Sequence, residues 1–274
     1  MQGPELTADD FERIRALLYR SAGIALGESK QPLVAGRLHR RLGAVGVESY
    51  REYIDRIESA SEAVERQVAI DLLTTNETYF WREPQHFSLM LEYAAAAARA
   101  RQSFSVWSAA SSSGEEAYTL AMLLDRLADT ERGLRWELMG SDISQRVLER
   151  ARRGQYPLER ASRLPPELLH RYCLRGQGEH EGTLLVAREL RQRVTFRQIN
   201  LIQTLPEVGP FAVVFLRNVL IYFDPETKIR VLRAVAARLA EGGRLFVGLS
   251  ESLHGLNCGL QQVAPGVYTR AATP

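Results

Sequence analysis

The sequence is poor in cysteine: Cys173 and Cys258 are the two present, far apart and outside any C-x-x-C unit. Free thiols in a reducing cytosol fit that usage better than a disulfide. Long apolar runs are also lacking. The longest, residues 93–98, is far too short to cross a bilayer. The N-terminus has no basic start and no apolar stretch, but carries Glu5, Asp9 and Asp10. A soluble, cytoplasmic, monomeric protein without membrane insertion is therefore expected. An excess of one charge sign is missing too, since the net charge is +2. Attraction to an acidic partner must come from a local patch, and no nucleic-acid partner is expected. The histidines at 39, 86, 170, 180 and 254 show no H-x-x-x-H spacing, so no metal is expected. No G-x-S-x-G elbow and no nucleophile with a nearby base is evident.

What is present is an ordinary globular composition, 45% hydrophobic and 25% charged, in a chain of 274 residues, more fitting for two domains than one. Residues 1 to about 85 read as wholly helical. Thr7 with Asp10 resembles a capping box, and Phe11, Ile14, Leu17 and Leu18 repeat at helical spacing. Further helices are expected over 33–42, over 50–57 behind Ser49, and over 64–73. From about Phe104 strands and helices alternate, which predicts a parallel sheet. Strands are expected at 106–108, 137–141, 194–199, 211–216 and 245–249. Helices are expected at 117–127, 145–152 and 227–239, the last ended by Gly242-Gly243. Residues 261–269 suit a closing hairpin. The forty residues between Arg153 and Val194 are too many for a structureless loop and read as a small hairpin or subdomain.

Five segments are candidates for function. Phe104-Ser-Val-Trp-Ser-Ala-Ala-Ser-Ser-Ser-Gly-Glu-Glu-Ala-Tyr118 is a strand, a loop of small residues and a helix start. Small residues admit a ligand close to the backbone. The loop lacks the three glycines of G-x-G-x-x-G and the G-K-[S/T] of a Walker loop. A nucleoside without a tight pyrophosphate site fits it, and so does a plain strand–helix connection. Asp142 ends the second strand, where an acid accepts ribose hydroxyls or starts the next helix. Arg217 and Asn218 follow a fully apolar strand at the edge where open sheets bind ligands, with Tyr222 just beyond. Thr74-Thr-Asn-Glu-Thr-Tyr-Phe-Trp-Arg82 is either an aromatic linker or part of the site. Lys30, Arg37, His39, Arg40 and Arg41 form a basic stretch, a solvated helix face or a docking surface.

Taken together these segments resemble the CheR family of chemoreceptor glutamate methyltransferases. The resemblance rests on Leu72-Leu-Thr-Thr-Asn-Glu-Thr-Tyr-Phe-Trp-Arg-Glu83, Val106-Trp-Ser-Ala-Ala-Ser-Ser-Ser-Gly-Glu-Glu116, Gly140-Ser-Asp-Ile143, Asn200-Leu201, Arg217-Asn-Val-Leu-Ile-Tyr-Phe-Asp224 and Gly248-Leu-Ser-Glu-Ser252. It implies an α/β fold, a Rossmann-like class I methyltransferase domain behind an N-terminal helical bundle, with a small inserted β-subdomain. The implied boundaries are 1–73 for the helical, receptor-docking domain, 74–102 for a linker, and 103–274 for the catalytic domain, the subdomain at about 158–193. The implied methyl donor is S-adenosyl-L-methionine, with S-adenosyl-L-homocysteine as product. Carried over by motif, Asn76, Thr78, Arg82, Ala110, Glu116, Asp142, Asn200, Leu201, Arg217 and Asn218 contact the donor. Arg82 and Tyr222 stand near the transferring methyl, and Arg37, Arg40 and Arg41 dock on receptor helices. Some members hold a receptor C-terminal peptide on the β-subdomain, and the loop Gly176-Gln-Gly-Glu-His-Glu-Gly182 is similar to theirs. The expected activity is methyl esterification of glutamates on chemoreceptor cytoplasmic domains. The residues alone leave open a methyltransferase for another carboxylate, or a non-catalytic nucleotide-sensing adaptor.

Overall fold

The computed structural model describes residues 4–271. They divide into two compact units: residues up to Thr75 together with Ile221–Lys228, and Asn76–Leu220 together with Ile229 onward. Cys173 and Cys258 are unpaired. Among the described residues no helix is long and apolar enough to cross a membrane.

The first unit contains α1 (Ala8–Ala22), α2 (Gln31–Val45), α3 (Tyr50–Glu58) and α4 (Ala63–Leu73). Local signals start them. Thr7 Oγ1 accepts the Asp10 N–H at 3.2 Å and Ser49 Oγ accepts the Glu52 N–H at 3.2 Å, each filling an otherwise empty donor site of a first turn. Phe11, Ile14, Leu17 and Leu18 of α1 are buried with Leu38 and Leu42 of α2 and Tyr53, Ile54 and Ile57 of α3. One polar cluster sits in this core. Arg41 forks onto Glu65 at 2.8 and 2.5 Å, and the Tyr53 hydroxyl donates to Glu65 at 2.7 Å. Arg41 above all holds the Glu65 carboxyl below its usual range. Helix stops at Leu73, because Thr74 turns to extended backbone (ψ 144°). The expectation of helix to about residue 85 is thus corrected.

The second unit begins with an irregular stretch and then α5 (Gln85–Arg99), a helix inside what the sequence reads as linker. It buries Phe87, Met90, Ala94 and Ala98 at spacings of three and four, one stripe of a helix. Next come β1 (Ser103–Ala109), α6 (Glu115–Thr130), β2 (Arg135–Asp142), α7 (Gln145–Arg153), β3 (Gln155–Pro157), α8 (Pro166–Tyr172), β4 (Cys173–Arg175), β5 (Thr183–Val186), α9 (Arg188–Arg193), β6 (Val194–Gln198) and β7 (Phe211–Leu216). The chain ends with α10 (Pro225–Ala236), β8 (Leu239–Val247), β9 (Leu260–Ala264) and β10 (Val267–Arg270).

Seven strands form one sheet in the order β6-β2-β1-β7-β8-β10-β9. The first five are parallel, and the β9–β10 hairpin joins antiparallel to β8. The order reverses between β1 and β7. In open α/β sheets that reversal opens a crevice beyond the carboxyl ends of the two strands. The register sets Ala109 of β1 against Ser141 of β2 and Leu216 of β7. Strand ends from three chain segments therefore meet at one edge. The forty-residue interruption is a second, antiparallel sheet in the order β3-β5-β4, one strand more than a hairpin. A second expectation fails. Gly242-Gly243 does not end a helix, since α10 has already stopped at Ala236 and the pair lies within β8. There the β7–β8 register shifts between Phe211 and Val213, and Gly242 has φ +67°. The glycines serve a bulge rather than a cap.

Candidate functional site

After Ala109 the chain leaves the sheet through Ala110 (φ +66°) and Ser112 (φ +50°) and enters α6 at Gly114 (φ +95°). Residues 111–113 are buried and Ala110 is partly so, and at Gly114 the small size is a steric requirement. A Cβ on Gly114 would lie 2.8 Å from the Ala151 Cβ. Hydrogen bonds fix the path. Ser111 N–H donates to Ser141 O at 2.7 Å, Ser112 N–H to Asp142 Oδ2 at 2.9 Å, and Ser112 Oγ to Asn76 O at 3.0 Å. Asp142 Oδ1 accepts the Ser144 N–H at 3.0 Å. The N-cap of α7 is Ser144. Asp142 instead ties the end of β2 to the small-residue loop. Ile199 N–H donates to Asp142 O at 3.1 Å, which brings the β6 end beside it. Asn200 then turns the chain, its Oδ1 accepting the Ile202 N–H at 3.2 Å, and Leu201 is buried.

The two acids opening α6 part company. Glu115 is fully buried and accepts Ser113 Oγ at 2.7 Å and Arg160 Nη1 at 3.0 Å. Burial pushes its carboxyl pKa up. Glu116 accepts Ser108 Oγ at 2.7 Å and Arg217 Nη1 at 2.9 Å. Arg160 also donates to Thr78 O at 2.6 Å, and the Tyr156 hydroxyl donates to Ser113 O at 2.7 Å. The segment around β3 thus buttresses both the loop and residue 78.

Asn218, next to Arg217, is left-handed at φ +58°. Its N–H donates to Glu251 Oε2 at 2.7 Å, and Gly248 N–H donates to the same oxygen at 2.8 Å. A Cβ at Gly248 would lie 2.7 Å from the Asn218 amide nitrogen. The segment from Asn76 contributes Arg82, half-buried, whose Nη1 donates to Glu77 O at 3.2 Å and whose guanidinium lies 5.6 Å from the Tyr79 ring centre. On the same segment His86 is buried, its Nδ1 3.6 Å from Glu83 Oε2. Burial, then Arg217, lowers its pKa to about 4.

Hydrogen bonds therefore link Asn76, the Ala110 loop, Asp142 and the turn at Asn200. A second set links Glu116 and Arg217 to the main chain of Arg82. Thr78 joins Glu115 through Arg160. Tyr222 belongs to the helical unit, where its carbonyl accepts the Ala25 N–H at 2.9 Å. On α2, Arg37 donates to Leu73 O at 2.7 Å and Thr75 Oγ1 at 3.1 Å, Arg41 is bound to Glu65, and Arg40 is exposed. Sequence reasoning assigned no role to Glu83, Arg160 or Glu251. Glu83 and Glu251 stand inside quoted motifs, which was the available signal; Arg160 had none.

Two family models match the chain: the CheR methyltransferase all-alpha domain over residues 9–74, and the CheR methyltransferase SAM binding domain over 76–268. The chain is 42% identical over 247 residues to a chemotaxis protein methyltransferase of Salmonella typhimurium, covering 90% of this chain and 84% of that protein. With the Escherichia coli chemotaxis protein methyltransferase it shares 43% over 245 residues, 88% of this chain and 84% of the other. With chemotaxis protein methyltransferase 2 of Pseudomonas aeruginosa it shares 40% over 267 residues, 97% and 94% of the two chains.

Proposed function

Because this chain belongs to the CheR methyltransferase family, we propose that it transfers methyl groups from S-adenosylmethionine to glutamate carboxylates on the cytoplasmic helices of chemoreceptors. The observation that carries the reading is the junction of Asp142 with the largely buried, left-handed loop around Ala110 and Ser112. A carboxylate at the end of the second strand suits a ribose diol. Side chains no larger than serine leave room beside the backbone for the nucleoside. The buried Ser111 Oγ, without a hydrogen-bond partner, is a polar group still to be satisfied. These residues fit the donor.

When bound, S-adenosylmethionine supplies an already activated sulfonium methyl. The acceptor carboxylate is ionised at neutral pH, with a reference pKa near about 4.3. The chain then needs no general base. Its task is to hold the acceptor oxygen in line, and such positioning supplies roughly 7–11 kcal/mol in favourable cases. In this reading Arg82 receives the carboxylate through its planar fork of donors. Tyr222 is assigned to the methyl channel on its motif alone. Receptor docking rests best on the exposed Arg40, since Arg37 and Arg41 serve the helical unit's own structure.

The test is to incubate the full chain with methyl-labelled donor and purified receptor cytoplasmic fragments, and to map the products by mass spectrometry. Methyl esters on receptor glutamates support the reading. Label on other proteins' carboxylates would move the acceptor class. Donor binding with no transfer to any carboxylate would leave an adaptor.

A further inference from the structure

Arg82 sits between two left-handed residues, Trp81 at φ +66° and Glu83 at φ +53°. For side chains other than glycine each such conformation costs about 1–2 kcal/mol. Two of them flanking one residue persist only where the surroundings impose them. They also decide where the Arg82 side chain leaves the chain.

Arg217 holds Arg82 and Glu83 of this turn. Its side chain is 2% exposed. Nη2 donates to Arg82 O at 2.6 Å and lies 3.0 Å from Glu83 Oε2, Nε donates to Glu83 Oε2 at 3.3 Å, and Nη1 donates to Glu116 Oε2 at 2.9 Å. The rings of Phe87 and Phe215 lie 5.7 and 5.9 Å from the guanidinium. Glu83 accepts a further N–H, from Leu249, at 3.2 Å. Burial works against the Glu83 charge, but Arg217 and that N–H outweigh it and hold the carboxyl below its usual range. Each of the three guanidinium nitrogens of Arg217 is thus committed to protein.

We propose that Arg217 and Glu83 are positioning residues for Arg82: they clamp the 81–83 turn so that the Arg82 guanidinium meets the acceptor carboxylate at one fixed angle. Arg217 acts on the donor only through this frame, not by direct contact of its guanidinium. The proposal rests on the reading of Arg82 as the acceptor-orienting residue.

A double-mutant cycle tests it. Glu83→Gln, Arg82→Ala and the pair are compared for kcat with receptor fragments, and for donor-site affinity by calorimetry with S-adenosylhomocysteine. Glu83→Gln alone should lower kcat about 10- to 100-fold, the effect of misplacing a reacting group, while product affinity stays near wild type. In the Arg82→Ala background the same change should alter kcat by less than about 2-fold, within the scatter of such cycles, which makes the two losses strongly coupled. Arg217→Lys keeps the charge and loses the fork, and should repeat the loss of kcat; since it also releases Glu116, product affinity is compared for Glu83→Gln alone. It replaces Glu83→Gln in the kcat comparison if that variant melts early. Equal losses in both backgrounds would overturn the proposal. So would a fall in product affinity that matches the fall in kcat. If Arg82→Ala keeps wild-type kcat, the role given to Arg82 fails, and the clamp's purpose with it.

Discussion

The two units treat their backbones differently. In the helical unit the left-handed residues among those described are glycines, Gly23 and Gly46, both ending helices. In the other unit six non-glycine residues are left-handed, and five of them, Trp81, Glu83, Ala110, Ser112 and Asn218, lie in the candidate site. The helical unit follows local rules: caps start its helices, glycines end them and apolar stripes meet. At the strand ends local preference is overruled by tertiary hydrogen bonds, from the Ser112 N–H to Asp142, from Arg217 to Arg82 O and from the Asn218 N–H to Glu251. Strain concentrated in this way marks a place where geometry is held for something other than stability.

Four measurements bear on that contrast, from the largest expected effect to the smallest. Arg41→Glu sets a carboxylate against the buried Glu65 and should destabilise the helical unit by about 3 kcal/mol, read by chemical denaturation. Arg40→Glu should change stability by less than about 0.5 kcal/mol and instead raise KM for the receptor. A matching stability loss in both would end the distinction drawn along α2. Arg82→Ala should lower kcat about 100-fold, close to 2.7 kcal/mol, with little change in melting. If it destabilises without affecting kcat, Arg82 is structural.

Third comes acid. The unfolded chain protonates His86 near pH 6.5, the folded protein only near about 4. Between those values acid favours unfolding, so stability present at pH 7 is lost as pH falls. From this group the loss at pH 5 is about 2 kcal/mol. Glu83, also held below its usual range, adds loss of the same sign at lower pH. His86→Gln should flatten the slope between pH 7 and 5; an unchanged slope would show that His86 is not its source. Last, Ala110→Gly relieves a left-handed alanine and should stabilise by no more than about 1 kcal/mol, since glycine's extra freedom in the unfolded chain offsets part of the gain. A clear loss of stability would mean that this turn is unstrained.

Much of the fold was legible because periodicity and caps are local. Thr7, Ser49 and the apolar run of 211–216 announced their elements. Helix α5 was hidden because its run of alanines over 94–98 shows no contrast between a polar and an apolar face. Gly242-Gly243 misled because a glycine pair serves a bulge as readily as a cap, and what decides is the partner strand. At the site, the motifs placed Asp142 and Arg217 at strand ends, which periodicity alone does settle. That Arg217 would turn inward onto Glu83 and Glu116 was not legible, since it depends on residues about a hundred positions away.

The small antiparallel sheet has its own lesson. It is entered from α7 and left into α9 at neighbouring points, Gly154 O accepting the Val186 N–H at 2.9 Å, so it is closed at its base like a cassette. Residues 162–186 carry its exposed face but also Leu164, Leu168, Tyr172, Leu184 and Val186 of the hydrophobic core, while Tyr156 and Arg160 precede them. Those two make the bonds that hold Ser113 and Thr78. The small sheet is thus tied down twice, to the loop through Tyr156 and Arg160 and to the core through Leu168 and Tyr172, so a change of its exposed face must leave both sets in place.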